Sequence, residues 1–359
     1  MKIAQVCHAY YPHKGGIEEH VRQLSERLAK KFDVEVITAD LSPNNKQITE
    51  LNGVTIKRFH AIAPNGAYFF SPQMLFYLRK ADFDLIHAHN YHAFPAYFAS
   101  FVKRGRFIFT PHYHGMGSTP FRNVLNKPYK YFGARIFKRA DKIICVSEHE
   151  KALVQRNFGV ADTEIMVIPN GLNLMEIEEA EPFEFEHDLI VYVGRLEKYK
   201  NIQIAIRAMA FLPECQFYII GEGRYRRDLE QLIHTLNLES RVKILSGVTD
   251  EEKYRWLKTC SLFINLSGIE AFGITVLEAL AAGKPVIVNE EGGLREFAQK
   301  FEGVFPVRVR VHEPAKRNNP KKLATIMDQK KGEEVREDLS AYAWETIAEK
   351  TENIYRGAL

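Results

Sequence analysis

A chain of 359 residues exceeds what one hydrophobic core ordinarily serves, so two domains are expected, and 46% hydrophobic with 26% charged residues excludes extensive disorder. No apolar run approaches the ~20 residues of a membrane-spanning helix, and a net charge of +4 gives no reason to expect a nucleic-acid partner. Cys7, Cys145, Cys215 and Cys260 are scattered in or beside apolar runs without a Cys-x-x-Cys pair, which argues against a disulfide framework or a cysteine zinc site.

The N-terminus enters directly into Lys2-Ile3-Ala4-Gln5-Val6-Cys7, which predicts a first strand rather than a signal peptide, so a cytoplasmic location is expected. Val21, Leu24 and Leu28 recur at helical spacing over Ile17–Lys31. Strands are predicted at Val34–Thr38, Val54–Arg58, Leu85–Ala88, Phe107–Thr110, Lys142–Val146 and Ile165–Ile168. After the turn signal Pro169-Asn170-Gly171, the acidic stretch Glu176–Asp188 lacks periodicity and reads as a linker. A second series follows at Leu189–Val193, Gln216–Ile220, Val242–Leu245, Leu262–Asn265 and Pro285–Asn289, with helices over Ile202–Phe211, Arg224–Leu236 and Ile274–Ala282. Ser340–Tyr355 carries one apolar face and predicts a last helix. Alternation of this kind indicates α/β architecture with parallel sheets, whose ligands bind at the carboxyl ends of the strands. The expected division is a domain at 1–178 completed by 341–359, a linker at 179–187 and a domain at 188–340.

Three loops carry the chemistry. Gly15-Gly16, between the first strand and helix, would let backbone N–H groups approach a phosphate. Gly-x-Gly-x-x-Gly is absent, since Gly221-Glu222-Gly223 has Arg226 at the third position, and a dinucleotide site is not expected. Gly194-Arg195 and Lys200 follow a strand and place two cations where a departing diphosphate gains charge. In the third loop Glu270 precedes Phe272 and Gly273, and the amides of Gly273, Ile274 and Thr275 open a helix toward an anion. Glu278 lies one turn inside, in an otherwise apolar segment. It should be buried, and a buried carboxylate needs a partner; a ribose or sugar hydroxyl pair would suit it.

With these pieces the chain resembles the family-four retaining glycosyltransferases of the GT-B fold over nearly its whole length. The carriers are Gly15-Gly16, Asp84-Leu85-Ile86-His87-Ala88-His89-Asn90, Thr110-Pro111-His112, Ala140–Ser147, Val167–Gly171, Gly194-Arg195 with Lys200, and Glu270 with Glu278. The resemblance implies two Rossmann-like domains facing a central cleft, with the last helix and Trp344 returning to the first. It implies that Gly16, Arg195 and Lys200 hold the donor diphosphate, and that Glu270 with the backbone of Phe272 and Gly273 holds the transferred sugar. Glu278 would hold the ribose, and His112 would stand near the reacting carbon. His89, Asn90 and Arg122 would face the acceptor. The implied reaction is metal-independent transfer of a hexose from a nucleotide-diphosphate sugar with retention and no cofactor, mannose being slightly favoured over glucose or N-acetylglucosamine.

Residues 1–180 hold 23 Lys and Arg against 17 Asp and Glu and ten of the thirteen histidines, which points to a glycan or lipid-linked anionic acceptor, with peripheral contact to an anionic membrane. Asp82-Phe83-Asp84 reads as a turn rather than a metal motif, and His87, His89 and His92 lack a fourth metal ligand at sensible spacing. The basic stretch Val304–Lys331 departs from the family pattern after Gly292-Gly293. A nucleotide-sugar epimerase of the same build, or a non-catalytic sugar-nucleotide-binding protein, would present the same residues.

Overall fold

The computed structural model describes residues 1–13, 15–42, 47–64, 68–102, 104–115, 120–309 and 319–357, with residues 120–128 described by their backbone. The chain divides into two compact units, the first comprising Met1–Gly171 with Trp344–Leu359 and the second Leu172–Ala343. The stretch 179–187 thus belongs with the second unit.

The first unit begins with β1 (Lys2–Cys7), α1 (Gly16–Leu28), β2 (Asp33–Asp40), β3 (Ile48–Leu51), β4 (Val54–His60), α2 (Pro72–Lys80) and β5 (Leu85–His89). It continues with α3 (Phe94–Ala99), β6 (Arg106–Thr110), α4 (Pro120–Arg139), β7 (Lys142–Cys145), α5 (Glu148–Phe158) and β8 (Ile165–Val167). The strands lie in the order β3-β4-β2-β1-β5-β6-β7-β8, parallel except where β3 pairs antiparallel with β4. Ile3 stands opposite Val34 on one side and Leu85 on the other, which sets the central register. The strand β3 is not among those the sequence pattern predicts. Its hairpin is closed by Asn52 and Gly53, both at positive φ, as a two-residue turn between strands of this twist requires.

The second unit runs α6 (Leu174–Glu179), β9 (Asp188–Val193), α7 (Ile202–Ala208), β10 (Cys215–Ile220), α8 (Arg226–Thr235), β11 (Val242–Leu245) and α9 (Asp250–Thr259). Then come β12 (Leu262–Asn265), α10 (Ile274–Ala281), β13 (Val286–Asn289), α11 (Leu294–Lys300), β14 (Val304–Val307) and α12 (Pro320–Lys330). Its sheet is wholly parallel in the order β11-β10-β9-β12-β13-β14. Strand order reverses beside β9 here and beside β1 in the first sheet, and such reversals open a crevice at the strands' carboxyl ends. β14 lies in the stretch that departs from the family pattern and extends the sheet from β13.

Both faces of a parallel sheet have to be covered, which explains the near-continuous apolar runs of the strands. On one face of the first sheet Val6, Ile86, Ala88 and Phe109 pack with Met74, Phe98 and Ile136. On the other, Ile3, Val36 and Leu85 meet Val21 and Leu24 of α1. That second layer is completed by α13 (Trp344–Arg356), through Trp344, Ile347, Ile354 and Tyr355. The last helix therefore belongs to the first unit, as expected. All four cysteines are free and buried. No helix among the described residues is long and apolar enough to cross a membrane.

Trp344 is 1% exposed and lies against Gly171, where an added Cβ would come within 2.3 Å of the indole. Gly171→Ala should therefore destabilise the protein by roughly 1–3 kcal/mol, the usual cost of overpacking. Gly16→Ala, where nothing lies within 4 Å, should unfold like the parent. Urea unfolding checks both, and equal stability of the two variants would contradict the packing.

Candidate functional site

In the second unit, the loop after β9 and the loop after β12 are tied into one surface. Asn201, held at φ 58°, donates from its side chain to the Leu266 carbonyl at 2.9 Å, and the Gly268 N–H donates to the Tyr199 carbonyl at 2.9 Å. The Tyr192 hydroxyl, buried beneath, donates to the Arg195 carbonyl at 3.0 Å. Gly221 is obligatory there, because a Cβ would meet the Gly194 carbonyl oxygen at 2.0 Å.

This frame brings together the residues singled out in the sequence. Lys200 Nζ lies 2.5 Å from Glu270 Oε2, with the two side chains 11% and 21% exposed. Arg195 is exposed and donates to the Tyr199 hydroxyl at 3.0 Å. The Glu270 carbonyl accepts from the Gly293 N–H at 3.0 Å, so the loop after β13 clamps the acidic loop from behind. Gly273 caps α10 at φ 93°, a conformation that favours glycine, and the first amides of α10, Ile274 and Thr275, start beside Phe272 and Glu270. Glu278, buried as its apolar surroundings predict, accepts from Lys253 Nζ at 2.8 Å. Sequence reasoning asks for a partner and does not identify Lys253, which stands on α9.

In the first unit the carboxyl ends of β5 and β6 gather histidines. Gly15 and Gly16 open α1, whose fifth residue, His20, is buried. His89 donates or accepts at Nε2 with Gln5 Oε1 at 2.8 Å. Since Gln5 Oε1 can only accept, Nε2 carries the proton and Nδ1 is a lone pair. Asn90 takes φ 72° and its side chain accepts from the His92 N–H at 3.0 Å. His112 is buried at φ 48°, a strained conformation for a residue with a Cβ. The backbone beside it is fixed by buried Glu150, whose carboxylate accepts from the N–H groups of Tyr113 and Val146. Glu150 is a second residue that sequence reasoning misses; its signal is Ser147 three residues ahead of it, the start of a helix cap. The Arg122 side chain lies outside the described residues.

The histidines do not group as the sequence suggests. His87 has both ring nitrogens engaged, with the Tyr355 hydroxyl at 2.6 Å and the Thr110 hydroxyl at 2.7 Å, so it is structural. Among the described residues, the group able to hold a metal is instead His20, His89 and His112, one ring nitrogen of each lying within 4.8 Å of the others. Nitrogens around a tetrahedral zinc stand about 3.3 Å apart. Nδ1 of His20, Nδ1 of His89 and Nε2 of His112 make no hydrogen bond among the described residues. Buried polar atoms in this state suit a hydroxyl-bearing ligand as well as an ion. Asp82-Phe83-Asp84 is a turn: Asp84 accepts from the Lys2 N–H at 2.7 Å, Phe83 is buried and the Asp82 side chain is 81% exposed.

Burial drives the His20 imidazole down to about 4, against a smaller opposing contribution from Asn170, and holds His87, His89 and His112 well below the ordinary histidine range. All four are neutral at pH 7. On unfolding they regain ordinary affinity for protons, so the unfolded chain binds more protons below about pH 6.5. Stability should be level from pH 8 to 7 and fall as pH drops from about 6.5 toward 4, His20 alone accounting for about 3 kcal/mol. Urea unfolding of the parent and of His20→Gln across this range checks it; the variant should lose less on acidification.

Comparison with known proteins finds relatives along the length of the chain. Residues 14–176 match the profile of Glycosyltransferase Family 4, and residues 175–345 match that of Glycosyl transferases group 1. An uncharacterized glycosyltransferase of Methanocaldococcus jannaschii is 27% identical over 96% of this chain and 95% of its own. The phosphatidylinositol N-acetylglucosaminyltransferase gpi3 subunit of Schizosaccharomyces pombe is 26% identical over 96% of this chain and 78% of its own. Among solved structures, sucrose-phosphate synthase from Thermosynechococcus elongatus aligns with TM-score 0.74 at 22% identity, covering 99% of this chain and 98% of that one. Anabaena HepE in complex with UDP-glucose aligns with TM-score 0.75 at 19% identity, covering 99% and 100%. These likenesses show the GT-B fold.

Proposed function

The chain belongs to the group 1 glycosyltransferases with a family-four N-terminal domain, and on that footing we propose that it transfers a hexosyl or N-acetylhexosaminyl group from a nucleoside-diphosphate sugar to a lipid-linked or glycan acceptor, with retention and without a metal ion. The observation that carries this reading is the convergence of Arg195, Lys200, Glu270 and the α10 N-terminus on one surface of the second unit.

As the bond between the anomeric carbon and the diphosphate breaks, negative charge grows on the leaving oxygens and the carbon becomes cation-like. Arg195, Lys200 and the opening amides of α10 supply positive potential to the leaving group. Lys200 would exchange Glu270 for a phosphate oxygen, and Glu270 would then accept from sugar hydroxyls. Glu278 would hold the ribose. The acceptor hydroxyl bonds to the anomeric carbon on the face the diphosphate leaves, and its proton passes to the departing phosphate oxygen. His112, neutral at pH 7, would offer a hydrogen bond without adding charge.

An anionic lipid-linked acceptor is supported by the basic first half and by α4, which exposes Lys130, Tyr131, Phe132, Arg135 and Lys138 together. The phosphatidylinositol-directed relative points the same way. Mannose is favoured by the sequence resemblance and N-acetylglucosamine by that relative's name. Thermal shift with UDP-, GDP- and ADP-sugars separates the donors, because a ligand that binds the native state alone raises the melting point.

With excess chelator, transfer should continue at its full rate. A loss beyond about tenfold, equivalent to ~1.4 kcal/mol, would refute the metal-free reading and turn attention to His20, His89 and His112.

Glu278→Gln should weaken binding of both donor and free nucleoside diphosphate, whereas Glu270→Gln should lower turnover and leave nucleoside diphosphate bound. Each loss should be about 1.5–3 kcal/mol, the range for hydrogen bonds to charged groups. Calorimetry beside steady-state kinetics reads the two separately. Equal loss of nucleotide affinity in both variants would mean the roles are wrongly divided.

A further inference from the structure

Lys253 lies in the first turn of α9, a helix opened by a reciprocal cap between Thr249 and Glu252 and carrying Asp250, Glu251 and Glu252 at its start. With acids on that turn already meeting solvent, an inward lysine adds nothing to solubility. Its side chain is 16% exposed and its ammonium reaches Glu278 Oε1 at 2.8 Å. Asp250 Oδ1 lies farther, at 3.3 Å, and that side chain is 58% exposed, while the Glu278 side chain is 7% exposed. The Tyr254 ring centroid stands 4.3 Å from the ammonium. Glu278 is therefore its interior partner.

A buried ion pair is a poor device for stability, because removing two charges from water costs about as much as their attraction returns, and an apolar pair of the same volume packs as well. What such a pair does secure is the state of each member. Burial alone would push the lysine down, but the facing Glu278 charge reverses this and holds Lys253 above its ordinary range, so it is a cation at any working pH. The carboxylate facing it is held in one rotamer by that contact.

We propose that Lys253 is a positioning residue for nucleotide binding: its ammonium keeps the Glu278 carboxylate aimed so that it accepts the ribose hydroxyls. This rests on the assignment of Glu278 to the ribose. The recognised chemistry is the vicinal diol of a nucleoside diphosphate, reached through Glu278 and not through Lys253 itself.

The test is calorimetry of UDP and GDP binding to the full chain from pH 8.5 to 6, for the parent, K253M, K253R, E278Q and the double variant K253M/E278Q. K253M removes the cation 2.8 Å from a buried carboxylate, so the double variant, which removes both charges at nearly constant volume, is the folded reference. The expected results are a parent affinity level across this pH range and a K253M affinity roughly tenfold weaker. The K253M affinity should weaken further as pH falls, because a desolvated carboxylate that has lost an adjacent cation takes up a proton more readily. K253R should recover most of the loss, and the double variant should bind no worse than E278Q. K253M binding like the parent beside a weakened E278Q would overturn the role of Lys253 alone. So would a K253M loss that is the same at every pH and adds in full to that of E278Q. Parent-like binding by E278Q would overturn the ribose assignment and this proposal together.

Discussion

The ion pair between Lys200 and Glu270 constrains the second unit most directly, because it joins the loop after β9 to the loop after β12 by their functional groups and not only by their backbones. Two half-buried opposite charges 2.5 Å apart leave each loop little freedom to choose another conformation. The Asn201 and Gly268 hydrogen bonds set the spacing that makes the pair, Gly221 and Gly293 permit the close backbone approaches beneath it, and Gly273 leaves room for the Leu294 side chain. The Lys253–Glu278 pair repeats the arrangement one turn deeper. Both acids of the loop and helix are thus balanced by lysine.

The first unit solves the opposite problem. Its buried histidine cluster around β1, β5 and β6 is made of neutral groups, and the order there comes from hydrogen-bond chains. Gln5 donates to the Tyr355 hydroxyl and accepts from His89, while His87 bridges Tyr355 and Thr110. The Gln5 carbonyl oxygen fixes which nitrogen of His89 bears the proton, so the other nitrogen of that ring is chemically defined. His20 and His112 complete the far end of this arrangement, with Trp344 packed edge-on against His20.

Much of the fold is legible in the sequence because parallel α/β architecture writes itself as apolar runs alternating with helical stripes. Burial of Glu278 is legible from the apolar run around it. Lys253 is not, since it stands 25 positions earlier on a helix rich in charge, where a lysine looks like any solvated cation. His20 does carry a signal: it falls three residues after Ile17 and four before Leu24, on the apolar stripe of α1. The strand β3 hides behind a short, half-exposed segment, although Asn52-Gly53 marks its turn. The helix α6 reads as linker because its acidic residues mask the one buried anchor, Ile177.

The helix α13 closes the first unit with the end of the chain. Trp344 fills the space over Gly171, and Tyr355 supplies the hydroxyl that Gln5 and His87 require. During translation, residues 1–171 emerge before the second unit but lack these groups until 344–356 leave the ribosome. In that interval Ile3, Val21 and Leu24 have no Ile347 or Ile354 above them, while the whole second unit is already available to fold. The order of synthesis and the order of completion are therefore inverted, and the unit made first is the one that finishes last.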